Sequence, residues 1–226
     1  MAFHRSALIG AIALRSARAR AARGRLVVFV QTTVKQRALQ AMLQAALPGL
    51  SVTAVGRVAD FERLLEDRPD AVLTLPVVMQ SHGMTPEIRG TRGGAPNETY
   101  SLVGVDAPPD SIRLKTLGAL DLLGRDGTNS FVRDLIGNPV KVERVTKVED
   151  LLPLLQMQRA DAVLIPSRMF HEIESTSSLQ LAQQELATKV GLPAIVGLGA
   201  DGRSAADQAA KLGGDAARLL GVDSWR

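Results

Sequence analysis

Two stretches of the chain, 90 residues apart, share one hydrophobic spacing and a four-residue core. The segment VTAVGRVADFERLLEDRPDAVLTLP from Val52 is echoed by VERVTKVEDLLPLLQMQRADAVLIP from Val142. Val52, Val55, Val58, Asp60, Leu64 and Leu65 correspond to Val142, Val145, Val148, Asp150, Leu154 and Leu155; after a slip of one residue, DAVL at 70–73 corresponds to DAVL at 161–164. A strand-then-helix pattern precedes each copy, at 26–46 in the first and about 116–137 in the second. The chain therefore reads as βαβαβ written twice, and strands that alternate with helices build mostly parallel sheets.

The individual elements support this reading. Residues 26–30 (LVVFV) form the continuous apolar run of a strand buried on both faces. Thr32 and Thr33 are placed to cap a helix in which Val34, Ala38, Leu39, Met42, Leu43 and Ala46 recur at spacings of three and four, and Pro48-Gly49 stops it. A strand at 50–55 leads to a helix with Phe61, Leu64 and Leu65 on one face, and a third strand at 70–75 ends at Pro76. Between the copies, residues 77–106, with Gly90, Gly93, Gly94 and Pro96, are too long for an ordinary connection; residues 170–189 form a similar excursion. A strand at 194–198 and an alanine-rich helix at about 204–220 follow. An interruption, a second unit and a return suit two lobes joined by two crossings: residues 25–101 with 190–226, and residues 102–189. At 226 residues the chain is long enough for two small lobes with real cores.

Strand–helix–strand units ending in DAVL, a glycine-rich connection leading to Tyr100-Ser101-Leu102-Val103, RADAVLIP in the second lobe and a C-terminal return resemble the type II periplasmic-binding fold. Within it, the phosphate/phosphonate-type binding proteins of ABC transporters are the nearest flavour. The resemblance covers nearly everything after residue 25 and rests on architecture and short motifs. It implies an α/β chain of two βαβαβ lobes with a cleft and two hinge crossings, a ligand in the cleft, hinge closure, and an ABC permease as partner. The chain departs from the family in being small, with only about 200 residues after the leader, and poor in aromatic residues.

Charge is distributed unevenly. Residues 1–25 hold six arginines and no acid, whereas the remainder holds 21 basic groups and all 23 acids. A near-neutral body offers no electrostatic footprint for nucleic acid. In residues 1–24, Arg5, the apolar run at 7–14 and small residues at Ala17, Ala19 and Ala21 have the order of a secretory signal. The short run and the crowded arginines equally fit a basic leader or a misplaced start. The expected location is periplasmic or otherwise exported if the leader is a signal, and cytoplasmic if it is not. The body lacks the roughly 18 consecutive apolar residues of a membrane span. The absence of cysteine excludes thiol catalysis, disulfides and cysteine-ligated zinc.

Ligands of open parallel sheets collect beyond the carboxyl ends of the strands, at helix N-termini. That rule selects Gln31, Thr32 and Thr33 after the first strand, Thr74 after the third, and Ser167 and Arg168 after the corresponding strand of the second lobe. Arg168 is a possible bidentate partner for an acidic ligand, or a solvated surface charge. The segment 124–130 (GRDGTNS) reads as a glycine-containing loop that offers Thr128, Asn129 and Ser130 to an oxyanion; the resemblance aligns it with the anion loop of phosphonate-binding relatives. Asp126 would repel an anion and equally fits a helix cap. Tyr100, at the proposed crossing, either lines the cleft or packs in the hinge. With aromatics at 3%, platforms for sugars or quaternary amines are scarce, which favours a small, strongly hydrogen-bonding ligand.

Other motifs carry less. Residues 197–202 match G-x-G-x-x-G, but too little chain follows to complete a dinucleotide-binding unit, and a tight strand-to-helix turn explains the glycines. His4, His82 and His171 lack metal-ligand spacing, and no cofactor is implied. The sequence thus favours a solute-binding protein for ABC-type uptake. The alternatives are a ligand sensor, or an enzyme on the same fold with Asp121 or Asp126 as its carboxylate.

Overall fold

The computed structural model describes residues 24–226; the leader expected at 1–24 lies almost wholly outside them. The first sheet has the order β11-β4-β10-β3-β1-β2. Its parallel core is β1 (Gly24–Phe29), β2 (Leu50–Val55) and β3 (Ala71–Thr74). Antiparallel to these, β10 (Ala194–Gly197) pairs with β3 and with β4 (Ile88–Thr91), and β11 (Ser224–Trp225) closes the edge. The second sheet has the order β7-β6-β8-β5-β9. Here β6 (Thr116–Leu120), β7 (Lys141–Val145) and β8 (Ala162–Pro166) are parallel, while β5 (Asn97–Val105) runs antiparallel to both β8 and β9 (Leu181–Gly191). Each sheet thus repeats one order: second strand, first strand, third strand, then an antiparallel strand from beyond the copy.

The sequence echo therefore has a structural counterpart, and its aspartates have a reason. Asp70 Oδ2 accepts the backbone N–H of Arg25 at 2.7 Å, and Asp161 Oδ2 accepts those of Lys115 and Thr116 at 2.8 Å each. In both copies the carboxylate ahead of the third strand ties down the start of the first strand.

The two stretches that read as connections instead carry antiparallel strands. β9 escapes sequence reading because its burial does not alternate: Leu181, Leu186 and Val190 turn inward while the residues between are mostly exposed. Opposite it, β5 shifts register between Thr99 and Ser101. β5 already belongs to the second sheet at Asn97, a few residues ahead of residue 102, where the sequence places the start of the second lobe.

The helices are α1 (Gln36–Ala46), α2 (Val58–Glu66), α3 (Pro76–Ser81), α4 (Gly124–Ile136), α5 (Leu151–Gln156), α6 (Phe170–Thr176), α7 (Gly202–Ala209) and α8 (Gly214–Leu219). The single last helix expected from the alanine pattern is two helices, because the chain turns at Gly213 and Gly214, the latter at φ +59°. In the turn after β10, a side chain on Gly197 would collide with the backbone of Gly202. These two glycines of the G-x-G-x-x-G match thus allow the strand and the helix start to touch.

Packing forms three apolar cores. One lies between the first sheet and helices α1, α7 and α8, around Leu26, Leu43, Leu73 and Ala206. Another covers the far face of the second sheet with α4, around Tyr100, Leu117 and Val132. The third is continuous across both lobes, joining Phe29, Phe61, Val72 and Met79 of the first to Val103, Leu122, Leu154 and Ile165 of the second. No helix among the described residues is long and apolar enough to cross a membrane.

Candidate functional site

A cavity of about 640 Å³ opens between the lobes at the carboxyl ends of β1 and β2 on one side and of β6 and β7 on the other. Its floor is apolar, made by Phe29 and Val55 from the first lobe and Leu120, Leu122 and Val148 from the second, all members of the shared core. Its walls are polar. Thr32, Lys35 and Arg37 come from the β1–α1 connection and the first turn of α1, Asp121 follows β6, and Thr146, Lys147 and Glu149 follow β7.

Several of these groups are already engaged. Gln36 Nε2 donates to the carbonyl of Ala54 at 2.6 Å, and Gln40 Oε1 accepts the N–H of Ala54 at 3.1 Å, so both glutamines clip α1 to β2. Asp121 pairs with Arg144 at 2.5 Å and accepts the Thr128 hydroxyl at 3.0 Å. Lys35, Arg37 and Lys147 line the cavity, form no ion pair among the described residues and outnumber its two acids. Glu149 is the one cavity acid likewise unpaired among the described residues.

The sequence-selected residues disperse. Thr32 lines the cavity, but its Oγ1 accepts the N–H of Val34 at 3.1 Å, a local turn. Helix α1 starts only at Gln36, with Lys35 at the N-cap, so neither Thr32 nor Thr33 caps it as the periodicity suggested, and Thr33 stays outside the cavity. Thr74 is fully buried and donates to the carbonyl of Phe29 at 2.5 Å, fastening β3 to β1 rather than facing a ligand.

The segment 124–130 is not a loop. It forms the first two turns of α4, which begins at Gly124. Thr128 is fully buried; its Oγ1 accepts the Leu123 N–H at 3.1 Å and donates to Asp121. A side chain on Gly127 would strike Leu123, so this glycine serves helix packing and not close approach of an anion. Asn129 is exposed on the helix, and Ser130 lies 3.5 Å from the Arg133 guanidinium.

Tyr100, Ser167 and Arg168 do converge, at the hinge. Tyr100 is fully buried, donates its hydroxyl to Gln31 Oε1 at 2.9 Å and packs edge-on against Phe131. Burial pushes its phenol far up, so it remains a donor. Arg168 pairs with Glu98 at 2.9 Å, with both side chains nearly buried, and reaches the carbonyl of Gln31 at 3.5 Å. A Cβ on Gly221 would collide with this guanidinium, so the C-terminal segment closes over it. Ser167 shares a hydrogen bond of 2.8 Å with Ser101. Arg168 is thus neither a solvated charge nor a group lining the main cavity.

The carboxyl ends that the sequence reading selects are those of the first and third strands of each copy. In the structure the cavity opens at the first and second strands of each copy, which brings in Lys147 and Glu149. Lys35 and Arg37 sit just past the threonines and carried no motif. Among the described residues no three His, Asp or Glu side chains gather as a metal site, and His171 faces only Glu174, at 3.4 Å.

No family model and no curated protein matches the sequence. Solved structures do match in fold. The chain is similar to XAC2383 from Xanthomonas citri bound to ATP, with 11% identity over 90% of each chain and a TM-score of 0.60. It is similar to holo ArgBP from T. maritima, with 16% identity over 88% of this chain and 91% of that one and a TM-score of 0.57. The BvgS periplasmic VFT2 domain of Bordetella pertussis matches at 14% identity over 92% and 97%, with a TM-score of 0.55. Substrate-binding proteins of ABC transporters share the architecture as well. The fold is that of the two-lobed periplasmic solute-binding proteins.

Proposed function

We propose that this chain is a solute-binding protein that captures a small polar solute carrying a negative group in the cleft between its lobes. The observation that carries this reading is the cavity of about 640 Å³ at the carboxyl ends of four parallel strands, with Lys35, Arg37 and Lys147 unpaired at its walls. An excess of cations over acids in a partly enclosed site attracts an anion more strongly than the same charges spread over open surface. The apolar floor would carry the nonpolar part of such a solute.

Ligand and mechanism follow from the same arrangement. Lys35 and Arg37 belong to one lobe and Lys147 to the other, so an anion held by all three favours the closed state through contacts the open state lacks. Architectural kinship supports capture: ArgBP is arginine-bound in one structure and XAC2383 holds ATP in another, and both ligands bear anionic groups. Export, and delivery to an ABC permease, belong to the same proposal; the fold of substrate-binding proteins of ABC transporters supports them.

The test is thermal unfolding of the protein against phosphate, phosphonates, sulfonates, carboxylates, amino acids and nucleotides. A ligand at 100 times its dissociation constant adds about 2.7 kcal/mol, on the order of 5–10 °C for a chain of this size. A riser among the anions, diminished in Lys35→Ala and Lys147→Ala, upholds the reading. A riser insensitive to both substitutions rejects it.

A further inference from the structure

We infer that the cleft takes an organic anion that also carries several hydroxyl groups, and that Gln31, Gln36 and Gln40 select for those hydroxyls. The inference rests on the anion reading of the cleft given above and adds the uncharged part of the ligand.

All three glutamines line the cavity, and each has one end of its amide held by the protein. Gln31 Oε1 accepts the Tyr100 hydroxyl at 2.9 Å, and Gln40 Oε1 accepts the N–H of Ala54 at 3.1 Å. Gln36 Nε2 donates to the Ala54 carbonyl at 2.6 Å. An amide has a carbonyl oxygen on one side and an NH2 group on the other, so fixing one end decides what the other presents. Gln31 and Gln40 therefore present Nε2 donors, and Gln36 presents an Oε1 acceptor. None of these three ends bonds to another described residue.

Gln31 is the decisive member. Only 6% of it is exposed, yet it lines the cavity. Among the described residues Glu98 Oε1 is the one buried side-chain polar atom left without a partner, so the unbonded Gln31 Nε2 keeps accessible surface. Turning this amide over would strip the fully buried Tyr100 hydroxyl of its acceptor, a costly loss. Tyr100 is thus a positioning residue that holds a nearly buried N–H donor ready for a ligand.

Such walls ask for a ligand that answers donors and an acceptor together. A hydroxyl does both, a methylene does neither, and an ammonium group only donates. Gln36 and Gln40 stand one helical turn apart on α1, and Glu149 of the second lobe is a further acceptor for a hydroxyl. The charged end falls to Lys35, Arg37 and Lys147, and the apolar floor meets the C–H edges of the carbon chain. A site built to hydrogen-bond hydroxyls rejects the analogue without them, because its own polar groups are then left unpaired.

Gluconate, hexanoate and sorbitol share one carbon-chain length and separate the two parts of the ligand. Gluconate has the carboxylate and the hydroxyls, hexanoate only the carboxylate, and sorbitol only the hydroxyls. In titration calorimetry of the full protein, gluconate is expected to bind at least about tenfold more tightly than either. Gln40→Ala, at an exposed position, should weaken gluconate by about three- to tenfold and leave hexanoate unchanged. Gln31→Met keeps the length and removes the amide; with its fold checked by circular dichroism, it should do the same. Lys147→Ala should weaken gluconate and hexanoate alike. Hexanoate binding as tightly as gluconate, or gluconate affinity unmoved in both glutamine variants, overturns the inference and leaves the anion reading standing. Sorbitol binding as tightly as gluconate overturns both. Absence of gluconate binding overturns the inference alone, since the wider panel of anions tests the reading beneath it.

Discussion

The hydroxyl of Tyr100, in the hinge strand β5, donates to Oε1 of Gln31, at the end of β1, across 2.9 Å. The bond ties the second sheet to a residue that lines the cleft of the first. Since burial holds the phenol in its protonated form, the bond persists through the ordinary pH range. Tyr100→Phe keeps the ring against Phe131 and removes only this bond. The expected cost is about 1–3 kcal/mol, because Gln31 is nearly buried and its Oε1 loses its donor. Urea unfolding measures it, and an unchanged midpoint would show that the bond contributes nothing to holding the lobes together.

Asp70 and Asp161 make parallel predictions. Asp161 accepts two backbone N–H groups and Asp70 one, all at partly exposed strand starts where water competes. Asp161→Ala should lower stability by about 1–2 kcal/mol and Asp70→Ala by about half that. Equal effects would mean that the carboxylates act through some feature other than these bonds. The comparison needs only denaturant midpoints at constant m-value.

The repeat was legible because its determinants are local: apolar strand runs, helical spacing, and an aspartate at the same place in each copy. What escaped the sequence was set by distant partners. Thr128 looks like a ligand group until Asp121 and the Leu123 N–H are known to consume its hydroxyl. Arg168 looks solvated until Glu98, 70 residues away, is found beside it. β9 was hidden because its inward residues follow a register shift in its partner and not a period of two. In the cavity, Lys35, Arg37 and Lys147 are ordinary surface charges by sequence, and only the facing of the two lobes brings them together.

Glu98 gives stability a pH dependence with a definite sign. Burial raises its pKa against the opposing pull of Arg168 and Arg92, so the folded protein binds this proton more tightly than the unfolded chain. That contribution is fully present below the unfolded glutamate value and is lost as pH rises through the higher folded value. Unfolding measured from about pH 4 to 8 should show stability falling from this residue, and Glu98→Gln should flatten that component. Arg168→Met in the wild-type background would leave Glu98 buried without its cation and should cost about 3–5 kcal/mol at neutral pH. Combining it with Glu98→Gln should recover a large part of the loss, because the stranded charge is then gone.

Lys147 and Thr128 separate the residues that would hold a ligand from those that hold the fold. Lys147 is exposed at the cavity wall with no ion pair among the described residues, so Lys147→Ala should change stability without ligand by no more than about 0.5 kcal/mol. In the same variant the ligand-induced rise in melting temperature should shrink. Thr128→Val keeps the shape but leaves the Leu123 N–H unpartnered and Asp121 short of a donor, both beside a fully buried position. The expected result is a loss of about 1–3 kcal/mol without ligand. The ligand-induced rise should be retained, since Arg144 still holds Asp121 in place at the cavity wall. Melting curves of both variants, with and without a bound anion, make the comparison. If Thr128→Val abolished the rise while Lys147→Ala left it whole, the binding surface would belong at the start of α4, where the sequence alone had placed it.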